Sequence, residues 1–289
     1  MSLIKTPEAS PARIYAIYAL MAQMHGQRLE IDSLKKMIMP AAFASPNSER
    51  TETDFIGKTI PEMISLGLMK QENNFLEITD TSISKGSLSF EVAIQLPHVI
   101  RKRALVSEEG QNEDLGRIIA WYLTQNPYRA PGSWKEVEEA LLKQLKDKME
   151  CSSDARYGQF EDWSLYLGFT TRIWKQLMPD PTKVIRHLLP ELFHDSRTHF
   201  IDTIVHRLAK LCPVFEHGSY REKMKNTYGT EALLAGHLSQ TTSFAWLRLQ
   251  DEGVVDLRMR SDADVYILTV QEQKHRYSEI TWNGKEDEI

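Results

Sequence analysis

The chain has 289 residues, enough for two or three compact units that each bury a core. Its hydrophobic fraction of 42% and charged fraction of 26% are those of a globular protein, which excludes a disordered tail. A formal net charge of -5 excludes a globally basic protein, so any contact with nucleic acid must come from local patches.

The first predicted domain, residues 1–95, begins with three helical segments. One opens at Pro11, has apolar side chains at helical spacing and ends near Gly26. A second stops before Pro40, and a third ends at the turn made by Gly67. The following segment, NNFLEIT, predicts a hairpin with an Asn-Asn turn. Three helices followed by a hairpin is the order of a winged helix-turn-helix unit.

The second predicted domain, residues 96–180, is helical. Three stretches have helical spacing: EDLGRIIAWYLTQ, WKEVEEALLKQLKDKM and the aromatic-rich FEDWSLYLGFTTRIWKQL. No hairpin is predicted among them. The domain is therefore a helical middle domain, whose helix count and spacing would also fit a degenerate winged helix with a reduced wing.

The third predicted domain, residues 181–289, repeats the order of the first. A helix opened by Asp180 or Thr182 leads into it. Three helices are then predicted over RTHFIDTIVHRLAKL, TEALLAGHLS and TTSFAWLRLQDE, and two strands over GVVDLRM and VYILTV around the turn RSDAD. The predicted fold class is mainly α with small β-hairpins, organised as tandem winged helix-turn-helix units.

The polar start of the last predicted helix is the candidate DNA-contacting site. A recognition helix presents its N-terminal side chains to base edges while its apolar face packs on the rest of the motif. Glutamine can pair with adenine, and hydroxyl groups suit phosphates. The predicted DNA-binding residues are Gln240, Thr241, Thr242, Ser243, Arg248 and, on the predicted wing, Arg258 and Arg260.

Acidic neighbours favour the alternative that this helix contacts protein instead of DNA. Carboxylates repel phosphates, and five lie close by: Asp251, Glu252, Asp256, Asp262 and Asp264. The third helix of the first domain is also acidic, since Glu52, Asp54 and Glu62 outweigh Arg50 and Lys58. The first domain is therefore expected to contact protein, with a dimer interface as one form of that contact.

No catalytic residue, metal site or cofactor is predicted. His199, Asp202 and His206 would share one face of a helix, but no known metal motif matches them. The chain has no Gly-rich phosphate loop, no Gly-x-Ser-x-Gly elbow and no Cys/His nucleophile pair. The expectation is a protein that is not an enzyme.

The location of the protein is predicted from its cysteines and apolar runs. Cys151 and Cys212 form no paired pattern, which is typical of a reducing compartment. The N-terminus has no apolar signal core, and no apolar run approaches the ~20 residues that span a bilayer. A cytoplasmic protein without membrane contact is expected.

Several phrases of the chain resemble the DpdG family of bacterial gene clusters that place 7-deazaguanine bases in DNA and restrict unmodified DNA. They are MSLI with SPARIY, FEDWSLYLGF, DPTKVIRHLLP, and LCPVFEHGSYR with LSQTTSFAWLRL and SDADVYILT. The resemblance implies a non-catalytic DNA-binding or adaptor subunit beside a helicase or nuclease encoded elsewhere. It carries over no site residues.

The sequence thus predicts a non-catalytic subunit of a bacterial DNA-defence complex. Its expected partners are double-stranded DNA and protein subunits such as a helicase, ATPase or nuclease, and a homodimer stays open. Two alternatives remain: an autonomous winged-helix transcription regulator with a palindromic site, and a protein-only adaptor for a large ATPase or nuclease.

Overall fold

The computed structural model describes most of the chain as two compact units that interleave in sequence. The described residues are 2–39, 54–106, 112–145, 153–228 and 233–284. The first unit comprises residues 1–115 and 155–166, and the second comprises 116–154 and 167–289. These units do not follow the three consecutive domains of the sequence analysis, whose boundaries after residues 95 and 180 stay a prediction. Cys151 and the polar loop around Arg50 and Glu52 lie outside the described residues.

The first unit combines helices with one small antiparallel sheet. Its elements are α1 (Pro11–Gln23), a 3₁₀ turn (His25–Gln27), β1 (Arg28–Glu30), α2 (Ile31–Ile38), α3 (Asp54–Ser65), β2 (Met69–Glu72), β3 (Phe75–Ile78) and α4 (Ser89–Leu105). The strand order is β1-β3-β2, and β2 and β3 are joined through Asn73 and Asn74. The predicted helices and the Asn-Asn hairpin are confirmed, and Asn73 has the positive φ of 54° that such a turn needs.

The core of the first unit is built on the apolar face of α1. Ile14, Ile17, Tyr18 and Met21 are fully buried, as their helical spacing predicts. Asp80 follows the hairpin and is buried beside them in the same unit, where Arg103 of α4 donates to its carboxylate at 2.9 and 3.1 Å. This ion pair ties the hairpin to α4.

We expect the Asp80→Asn variant to lose less of its free energy of unfolding than the wild type when the pH is lowered. Burial alone would raise the pKa of Asp80, but hydrogen bonds from Ser82 and Arg103 lower it below the ordinary aspartate value. Stability from this carboxylate is therefore present above the unfolded pKa and is lost as pH falls through the folded pKa.

At pH 7 the free energy of unfolding of the Asp80→Asn variant should be about 2 kcal/mol lower than that of the wild type, because the variant loses charge-assisted hydrogen bonds. Urea titrations between neutral pH and about pH 3 should show the wild type losing more stability than the variant. Asp251→Asn, on an exposed carboxylate, is the matched control. Parallel acid profiles for wild type and Asp80→Asn would contradict the expectation.

The second unit contains three small sheets among its helices. Its elements are α5 (Glu113–Tyr122, from Gly116 onward), α6 (Trp134–Leu145), β4 (Thr170–Ile173), β5 (Gln176–Pro179), α8 (Thr182–Leu192), β6 (Thr198–Phe200), α9 (Ile201–Leu211), α10 (Ser219–Tyr228), α11 (Gln240–Asp251), β7 (Val255–Arg258), β8 (Tyr266–Val270), β9 (Gln273–Tyr277) and β10 (Glu279–Trp282). The helix before β4, α7 (Asp154–Tyr166), lies in the first unit from residue 155 onward. The strand orders are β4-β5, β6-β10-β7 and β8-β9.

The prediction of one aromatic-rich helix over residues 160–177 is correct only as far as residue 166. The helix ends at Tyr166, and residues 170–179 form the hairpin β4–β5 instead. Gly168 has a φ of 86°, which ends the helix, and the β-branched residues after it favour a strand. The middle region therefore also has a hairpin after its helices, although its sequence pattern did not indicate one.

The last predicted region differs from the structure in its first two helices. Residues 198–200 form strand β6 before α9 begins, and the helix that precedes this strand is α8. The predicted helix TEALLAGHLS starts outside the described residues, and residues 233–239 are not helical. A φ of 73° at Gly236 is incompatible with a helix there.

The two predicted strands of the last region do not pair with each other. Strand β7 pairs with β10, and β10 also pairs with β6, whereas β8 pairs with β9. The hairpin β8–β9 is thus inserted in the chain between the paired strands β7 and β10. Helix α11 packs against α8, β7 and β8, at the centre of the second unit. Among the residues that the structure describes, no helix is long and apolar enough to cross a bilayer.

Candidate nucleic-acid interface

The candidate site was expected at the N-terminus of α11, and the structure places that helix end in the interior. Ser239 is the N-cap, and its hydroxyl accepts from the backbone N–H of Thr242 at 3.3 Å. This is the ordinary use of a serine at a helix start. Gln240, the first residue of the helix, is half-buried.

Thr241, Thr242 and Ser243 are buried, so the structure does not present them to a DNA groove. Thr241 donates to the backbone oxygen of Gln125 at 2.9 Å. Thr242 donates to a carboxylate oxygen of Glu216 at 2.9 Å, and Ser243 accepts from the backbone N–H of Thr269 at 3.0 Å. Each hydroxyl satisfies a buried polar group of the fold. The predicted major-groove role of these three residues does not fit their burial.

A buried ion pair organises this end of the helix. Glu216 and Arg221 are both buried and lie 3.4 Å apart. Glu216 also accepts from the backbone N–H of Ser239 at 2.9 Å, and Arg221 donates to the backbone oxygen of Ala120 at 2.7 Å. Burial alone would raise the pKa of Glu216, but Arg221 and Ser239 hold that pKa below its ordinary value. The carboxylate is therefore charged and acts as a structural anchor for α11.

Arg248 reaches the surface but is paired with two carboxylates. Its guanidinium lies 2.6 Å from buried Asp180 and 2.9 Å from Glu252, and Arg186 also pairs with Glu252. Asp180 in turn accepts from the backbone N–H of Thr182 at the start of α8. A base contact by Arg248 would have to break these bonds.

Arg258 and Arg260 are exposed, and acids lie close to both. Arg258 lies 3.4 Å from Asp256, and Arg260 lies 3.2 Å from Asp262 and 3.5 Å from Glu279. Carboxylates therefore offset their positive charges at the surface. The prediction that they contact DNA stays untested, but this geometry weakens their attraction for phosphate.

Two exposed cations on hairpin β8–β9 have no such partners and were missed by the sequence analysis. Lys274 and Arg276 are exposed, alternate along β9, and face Thr269 and Ile267 of β8. They stand on the outer face, since Tyr266 and Leu268 of the other face are buried. The structure gives neither cation an ion pair with any residue it describes. The segment QKHRY could have revealed these residues, because its alternating side chains indicate a strand. That interpretation depends on placing the preceding turn at Gln271.

A second exposed cationic hairpin is β4–β5. Arg172 and Lys175 flank its tip, and no acidic residue occurs between positions 167 and 179. The tip itself carries Trp174, which is 95% exposed. Since this hairpin was not predicted, neither were these residues as a surface feature.

The histidines considered as metal ligands have other partners. His199 lies on strand β6, so it does not share a helix face with Asp202 and His206. It lies 2.9 Å from Asp195, whose pKa is held well below its ordinary value by a hydrogen bond from Arg207. Within the described ranges, no group of three potential ligands is close enough to hold a metal ion.

The class of protein that these features define is a mainly helical, two-unit protein with small antiparallel sheets. In the second unit the exposed cations Lys274 and Arg276 lie on hairpin β8–β9, while the polar N-terminal end of α11 is buried. The chain belongs to the DpdG-like family, whose model matches residues 1–263. This membership suggests a role in a DpdG-associated DNA modification or defence cluster. No curated protein and no solved structure matches the chain.

Proposed function

We propose that the chain is a non-catalytic DNA-binding and adaptor subunit of a bacterial DNA-defence complex. It binds double-stranded DNA through the second unit and contacts another protein subunit, such as a helicase, ATPase or nuclease, through the first. Family membership supports the defence setting. The observation that carries the DNA contact is the pair of exposed, unpaired cations on the outer face of hairpin β8–β9.

We propose that both units are winged helices. In the first unit the order is helix α1, strand β1, helices α2 and α3, then strands β2 and β3, with sheet order β1-β3-β2. In the second unit α8, β6, α9, α11, β7 and β10 follow in the same order, and the sheet order β6-β10-β7 corresponds strand for strand. Helix α10 and hairpin β8–β9 are insertions into this common plan. The repeated order supports a tandem arrangement.

Within this plan the wing, rather than the third helix, makes the DNA contact. Helix α11 corresponds to a recognition helix, but its N-terminal hydroxyls are buried. Hairpin β8–β9 extends from between the two wing strands and carries Lys274 and Arg276 outward. Lysine and arginine on an exposed strand suit the phosphate backbone, which is read without regard to sequence.

The first unit supports the protein contact through α4. Three large apolar side chains are exposed at its N-terminal end: Leu88 (57%), Phe90 (60%) and Ile94 (63%). Phe90 and Ile94 are four residues apart and lie on one helix face. Exposed apolar side chains grouped in this way favour a protein interface.

We expect Lys274→Gln with Arg276→Gln to weaken binding to a random-sequence duplex. Each phosphate contact contributes about 0.9 to the steepness of the fall of log affinity with log salt. Removal of both cations should therefore reduce the magnitude of that slope by nearly 2. The measurement is fluorescence anisotropy over a salt series. Arg258→Gln with Arg260→Gln is the matched control, since it removes the same charge from side chains that already have carboxylate partners.

Equal losses from both double variants would overturn the assignment to hairpin β8–β9. A protein-only adaptor is the second candidate, favoured by the burial of the α11 hydroxyls. It would bind no duplex even at low salt and would co-purify with a large ATPase or nuclease. An autonomous transcription regulator would instead protect a palindromic site in footprinting, with half-sites about one helical turn apart.

A further inference from the structure

Trp174 stands at the tip of hairpin β4–β5 with 95% of its surface exposed. It is the most exposed of the large hydrophobic side chains that the structure describes. An indole left in water forgoes the free energy of burial, and the adjacent Ile173 is also 49% exposed. Trp174 therefore contributes almost nothing to the core of its unit.

The backbone at Trp174 is also unfavourable for this residue. Its φ of 58° lies in the left-handed region that favours glycine or asparagine. In the first unit the same position of hairpin β2–β3 is occupied by Asn73, with a φ of 54°. Turn chemistry therefore does not account for a tryptophan here, and an outlier of this kind points to function.

Strand β5 of the hairpin is anchored to the interior of the second unit close to the tip. The Tyr122 hydroxyl, buried on α5, donates a shared hydrogen bond to the backbone oxygens of Leu177 at 2.8 Å and Pro131 at 3.0 Å. Leu177 is itself buried. The loop has only two residues, Trp174 and Lys175, between the paired strands.

The charge around the tip indicates an anionic partner. Arg172 and Lys175 are exposed on either side of Trp174, and the segment from 167 to 179 contains no acid. An exposed indole between two cations has the composition of a nucleic-acid stacking platform, in which cations hold the backbone and an aromatic ring stacks on a base. An apolar protein surface would not require the two charges.

We propose that Trp174 stacks on an unpaired base, so that hairpin β4–β5 binds single-stranded or forked DNA. The inference rests on the proposed DNA-binding function and names a second class of substrate for it. Insertion into an intact duplex must first unstack two base pairs, whereas an unpaired base offers its face without that cost. A subunit that binds duplex through β8–β9 and an unpaired base through β4–β5 would recognise a site where the strands separate.

The test compares a labelled oligothymidylate of about 20 nucleotides with a blunt duplex of the same length, using the full chain. Trp174→Ala should weaken single-strand binding about tenfold and leave duplex binding unchanged. Trp174→Phe should restore most of the lost affinity, because it keeps an aromatic face. Phe75→Ala is the matched control, since Phe75 is an exposed aromatic residue on hairpin β2–β3 of the first unit and should have no effect on either DNA.

Each other outcome overturns a different part of the account. Wild-type protein that binds neither DNA at low salt would overturn the proposed DNA-binding function itself. Wild-type binding of duplex with unchanged single-strand binding by Trp174→Ala would overturn the stacking inference alone. Equal weakening of single strand and duplex by Trp174→Ala would show groove insertion and overturn the preference for an unpaired base.

Discussion

Glu216→Ala is expected to lower the free energy of unfolding of the protein by about 3–5 kcal/mol. The substitution leaves Arg221 buried without its counter-charge, and a buried unpaired charge is strongly destabilising. The backbone N–H of Ser239 and the hydroxyl of Thr242 lose their acceptor at the same time. Urea unfolding followed by tryptophan fluorescence measures the loss.

Glu222→Ala is the matched control for that substitution. Glu222 pairs with Lys225 at 3.8 Å across an exposed helix surface, where an ion pair contributes little. We expect a change below about 0.5 kcal/mol for the control. A similar small change for Glu216→Ala would show that the buried pair does not anchor α11, and the explanation for the buried hydroxyls would fail.

Gly218→Ala is expected to destabilise the protein by about 2–3 kcal/mol through a steric clash. A Cβ atom at this position would lie 2.5 Å from the carbonyl carbon and 2.7 Å from the Cα of Pro213, and closer still to the carbonyl oxygen. The same oxygen accepts from the backbone N–H of Tyr220 at the start of α10. The segment would have to open, which displaces the helix that carries Arg221.

Gly158→Ala in α7 provides the contrasting control. A Cβ atom there would meet nothing within 4 Å, and alanine is favoured over glycine inside a helix. We expect a stabilisation of about 0.5–1 kcal/mol for this variant. Thermal unfolding of the two variants should therefore shift in opposite directions. A shift of Gly218→Ala toward higher temperature would contradict the account of this turn.

Local patterns were sufficient to predict helices α1 to α3 and the hairpin β2–β3 of the first unit, but not strand β1 or helix α4. The apolar face of α1, the turn glycine Gly67 and the Asn-Asn turn are each encoded within a few neighbouring residues. The hairpin β4–β5 was missed because its aromatic residues also fit helical spacing. Gly168 was the local signal that the helix had ended.

The burial of the candidate-site hydroxyls could not be predicted, because their hydrogen-bond partners are distant in sequence. The hydroxyls at the start of α11 have the same pattern whether they face solvent or fill a buried network. Their partners Gln125 and Glu216 are 116 and 26 residues away from the threonines they bind. The pairing of β6 with β10 joins positions about 80 residues apart, as Ile280 and His199 do, and no local pattern indicates it.

Binding of the purified full chain to a random-sequence duplex across a salt series decides whether the protein contacts DNA. We expect measurable affinity at low salt and a steep linear fall of log affinity with log salt, because several phosphate contacts release counterions. No binding at the lowest salt would contradict the DNA-binding proposal. The exposed hairpins would then have to be tested as surfaces for the protein partner.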